Sequence, residues 1–115
     1  MAEKLVKPET ERFLPHQIWS TKYGFFYIDE VMPFTRIHHT KEDRMATVFP
    51  VNLQGVGFDT YKQAVYTHID EQEYAIRPIA RKQVSLAWLE SNSLAYVCTV
   101  VDEVAERIYE ARDFD

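Results

Sequence analysis

The chain has 115 residues, 13 Lys plus Arg against 18 Asp plus Glu, a formal net charge of −5, and one cysteine. That length suits a single domain, the few Gly and Pro exclude a linker, and a lone cysteine excludes an intramolecular disulfide. No apolar run reaches the roughly 18 residues of a membrane span, and Met1 to Lys7 lacks the apolar core of a signal peptide, so a soluble, cytoplasmic protein is expected.

The charge is unevenly spread. Residues 1–50 carry seven basic and seven acidic side chains, whereas residues 51–115 carry six and eleven, so the whole excess of acid lies in the second part. Broad attraction to nucleic acid or to anionic lipid is disfavoured.

Taken in order, residues 1–12 read as a mobile N-terminal segment and residues 13–115 as one α+β domain. Pro15 stops any helical turn begun at Glu9. The densest feature runs from Trp19 to Phe34 and holds Trp19, Tyr23, Phe25, Phe26, Tyr27 and Phe34. In an extended chain Tyr23, Phe25 and Tyr27 share one face, and Phe26 and Ile28 share the other. Pro33 breaks this strand, and Phe34 to His38 begins another. Thr40-Lys41-Glu42-Asp43 is a hairpin connection into a strand from Arg44 to Phe49, which Pro50 ends. Val51 to Phe58, with Gly55 and Gly57, reads as a bulged strand or loop.

Thr60 and Gln63 match a capping box, and Tyr61, Val65 and Ile69 recur every four residues, which predicts a helix from Thr60 to Ile69. Asp70 to Glu73 closes it against the helix dipole. A strand follows from Tyr74 to Ile79, interrupted by Pro78. Val84 to Leu89 leans to helix on its Ala and Leu content, and Ser91-Asn92-Ser93 is a turn. Leu94, Val97, Val101, Val104 and Ile108 form the stripe of a final amphipathic helix. The run Thr99-Val100-Val101 leaves 94–101 open between helix and strand, so the helix is firm from Asp102 onward. The expected fold is an antiparallel sheet of three to five strands packed on one face by two or three helices.

His38-His39 is the first place to look for chemistry. Adjacent strand residues point to opposite faces, so one imidazole would need His16 or His68, with Glu42 or Asp43, to complete a metal site. Histidines at a strand end are the plainer reading, and no metal or cofactor is expected. His68 on a helix reads as a packing residue. Cys98 sits in an apolar run and reads as a small buried hydrophobe. No serine stands in a Gly-x-Ser-x-Gly turn, and Gly55-Val56-Gly57 lacks the third glycine of a dinucleotide fingerprint.

Arg77, Arg81 and Lys82 form a basic cluster near Tyr74 and Trp88, a pattern that grips single-stranded nucleic acid but more commonly marks a solvated connection. The aromatic segment offers the sharper idea. With helices enough for one sheet face, the other face is left to dock a partner or a second copy, through Trp19, Tyr23, Phe26 and Ile28. Glu103, Glu106 and Glu110 on the last helix supply a second, acidic surface that could meet a basic partner or imitate nucleic acid. The reading from sequence is a small non-catalytic binding protein, acting by protein contact or as a homodimer. Its alternatives are a histidine- or metal-dependent enzyme and a nucleic-acid binder or acidic mimic.

Overall fold

Seven antiparallel strands form one curled half-barrel sheet in the computed structural model, which describes residues 13–32, 44–54 and 63–112. The expectation of three to five strands is therefore too low. The strands are β1 (Gln17–Thr21), β2 (Gly24–Val31), β3 (Met45–Leu53), β4 (Val65–Ile69), β5 (Gln72–Ile76), β6 (Lys82–Ser85) and β7 (Ser93–Thr99). A 3-10 turn at Pro78–Ala80 separates β5 from β6, and the helices are α1 (Leu86–Asn92) and α2 (Asp102–Arg112). Neighbours run β4-β5-β3-β2-β1-β7, with β6 beside the first half of β3.

Strand β3 passes straight through Pro50, which was expected to end it. Pro50 pairs with Phe26 on β2, and its carbonyl accepts from the Arg77 amide at 3.0 Å on the other side. In an extended residue the nitrogen and the carbonyl point the same way, so the missing N–H also faces the β5–β6 side. There the ladder is interrupted by the 3-10 turn, and no donor is needed. Proline is tolerated because its blind side meets the gap.

The predicted helix from Thr60 is overturned where it can be seen. Residues 65–69 are β4, joined to β5 by a tight turn in which Asp70 and Glu71 both take positive φ, 52° and 68°. The Val65 and Ile69 spacing fits helix and strand alike, and pairing with Ile76 and Gln72 decides it. The stretch 94–101 resolves as strand up to Thr99. The final helix begins at Asp102, where Asp102 and Glu103 suit the N-terminal dipole and Arg112 the C-terminal one. Ser85 caps α1 by accepting from the Trp88 amide at 3.0 Å. The expectations of a mobile segment at 1–12, of a strand from Phe34, of a hairpin at 40–43 and of a bulge or loop at Gly55 and Gly57 fall outside the described residues.

Two apolar cores lie on opposite faces of the sheet. On one, α2 lays Val104, Ala105 and Ile108 over Ile18, Tyr27, Phe49, Val51, Val65, Tyr74 and Ile76. On the other, α1 and Phe13 cover Trp19, Phe26, Ile28, Ala46 and Val48 with Leu86 and Leu89. Packing on one face only is thus corrected as well. Among the described residues, one seven-residue helix and Phe13 pack on the second face beside the large rings of the sheet.

Candidate functional site

The rings of the second face form a continuous row. Tyr23 stacks on Trp88 with centroids 5.8 Å apart, and Trp88 meets Phe26 edge-on at 6.1 Å. Phe26 pairs across the strands with Trp19, whose ring contacts Phe13 at 4.6 Å and Tyr96 at 5.7 Å. Lys82 Nζ lies 6.0 Å from the Phe26 centroid. The middle of the row is sealed, with Phe26 at 6% exposure and Ile28 at 0%. Trp19 is buried too, and its indole N–H donates to Gln17 Oε1 at 2.8 Å, an oxygen that also accepts from the Leu14 amide. A satisfied, buried indole has nothing left to offer a partner.

The ends of the row behave differently. Tyr23 is 69% exposed on the β1–β2 turn, and Tyr96 is 49% exposed on β7 beside Leu94 at 64%. The turn is held in place by Thr21, whose hydroxyl accepts from the Tyr23 amide and donates to the Gly24 carbonyl. Gly24 has a φ of +117°, a conformation that L side chains rarely adopt. Lys22 N–H donates to the Asn92 carbonyl at 2.9 Å, which brings the turn beside the start of β7. Tyr23, Trp88, Leu94 and Tyr96 therefore border one end of the sheet and its β7 edge.

Of the contact residues read from sequence, Tyr23 alone among the four sheet positions is exposed; Trp19, Phe26 and Ile28 belong to a core. Glu103, Glu106 and Glu110 are all exposed on α2, as a second surface would need. Leu94 and Tyr96 are the residues that sequence reasoning misses, because Leu94 also fits the stripe of a helix. A usable signal was present: Ser91 to Val101 contains no charged residue.

The polar candidates are only partly assembled. A cleft of about 610 Å³ is lined by Asp29, Glu30, Thr47, Arg81, Lys82 and Arg112 among others. Glu30, Thr47 and Gln83 make one cross-strand row on its floor. Arg112 pairs with Asp29 and, at 3.4 Å, with Glu30, and its guanidinium lies 4.3 Å from the Tyr109 ring. Arg77 is instead tied to Asn52 at 3.2 Å. The basic cluster thus places two of its members opposite carboxylates, an arrangement unlike a continuous phosphate track.

His68 is exposed on edge strand β4, and His38 and His39 lie outside the described residues. Among the described residues no group of three His, Cys, Asp or Glu could hold a metal ion. His16 stacks on Tyr27 at 6.3 Å and borders a groove of about 470 Å³ with Asp102, Glu103, Glu106 and Tyr109. Burial, aided by Asp70, pushes the Cys98 thiol up to about 11, so it is held protonated near neutrality. No helix among the described residues is long and apolar enough to cross a membrane.

No protein-family model matches the chain, and no curated protein matches it either.

Proposed function

We propose that this chain is a small non-catalytic binding protein that acts through protein–protein contact. Its contact surface is the two exposed ends of the aromatic row, Tyr23 with Trp88 at one and Tyr96 with Leu94 at the other, rather than the sealed positions Phe26 and Ile28. The observation that carries the reading is the exposure of Tyr23, Leu94 and Tyr96 against a rigid, buried aromatic base. Large rings held in place lose little entropy on docking, and an aromatic anchor beside apolar area is the usual make-up of an interface centre. The protonated, half-buried thiol supports a non-catalytic role and makes no demand for an oxidising compartment, which accords with a cytoplasmic setting.

The test is hydroxyl-radical footprinting of the full chain in an extract of its native cells, compared with the purified protein at high dilution. Protection of Tyr23, Leu94 and Tyr96 in the extract alone is the expected result. Equal labelling of these residues in both settings would overturn the reading.

A further inference from the structure

We draw no further inference here: the strongest candidate, the polar cleft between β2, β3, β6 and the end of α2, has its Arg112 already paired with Asp29 and Glu30, and nothing in the structure shows what would enter it.

Discussion

The Tyr23 ring lies over the Trp88 indole at 27° between planes, so a strand-turn residue and a helix residue 65 positions apart share one contact. The contact fixes α1 to the β1–β2 turn, where the Lys22 amide also reaches the Asn92 carbonyl. An aromatic pair of this kind contributes roughly 0.5–1.5 kcal/mol beyond area burial. Tyr23→Ala is expected to lower stability by about 1 kcal/mol, and Trp88→Ala by about 3 kcal/mol because Trp88 also supports Phe26. A double-mutant cycle by urea unfolding should return a coupling of about 1 kcal/mol between the two. A coupling of zero would show that the exposed tyrosine rests on the tryptophan without energetic consequence.

Phe26 separates packing from binding. It sits between Trp88, Trp19 and Lys82 at 6% exposure, so its truncation leaves a cavity. Phe26→Ala is expected to cost about 3–5 kcal/mol of stability. Tyr96→Ala should cost under about 1 kcal/mol, since its ring stays half in solvent. Thermal melts at a concentration low enough to exclude association measure both. Similar losses for the two would contradict the division of the aromatic row into a sealed middle and open ends.

What could be read from the sequence follows the distance over which each signal acts. The strand from Gly24 to Val31 and the helix from Asp102 are visible because their patterns are local: alternation of rings in one, a cap and a four-residue repeat in the other. Val65 and Ile69 misled because a spacing of four fits both periods, and only pairing with β5 removes the helix. Pro50 misled for a different reason. Its meaning depends on Arg77 and the 3-10 turn that interrupts the partner strand, 27 residues away in the chain. The site suffered most. A count of helices underestimates coverage, because the sheet curls and, among the described residues, Phe13 packs on the second face beside a helix of only seven residues.

The β4–β5 turn holds two non-glycine residues in the left-handed region, Asp70 at φ 52° and Glu71 at φ 68°. Two positive φ values in a two-residue loop match the mirror-image turn whose twist suits a hairpin, and Asn-Gly is its preferred sequence. Glu71 carries a side chain where that conformation is costly. Replacing Asp70-Glu71 by Asn-Gly is therefore expected to raise stability by about 1 kcal/mol, read as a rise of several degrees in Tm. A lower Tm would mean that the acidic pair makes contacts worth more than the strain it carries.

Cys98 gives the pH dependence a definite sign. Its thiol is pushed up to about 11 in the folded chain by burial and by Asp70, whereas an unfolded cysteine titrates near about 8.5. A raised folded value means stability is fully present below the unfolded value. As pH climbs between the two, the unfolded chain gives up its proton and the folded one does not, so unfolding becomes easier with rising pH. Tyr74 and Tyr27, both raised chiefly by burial, add loss of the same sign at still higher pH. Urea unfolding from pH 7 to 10.5 should show stability falling above about pH 8.5, and Cys98→Ala should flatten that part of the curve while leaving the tyrosine limb. At pH 8 the folded thiol should also react with iodoacetamide about a hundredfold more slowly than in urea. Rapid alkylation of the folded chain would place the thiolate in water and contradict the burial of Cys98.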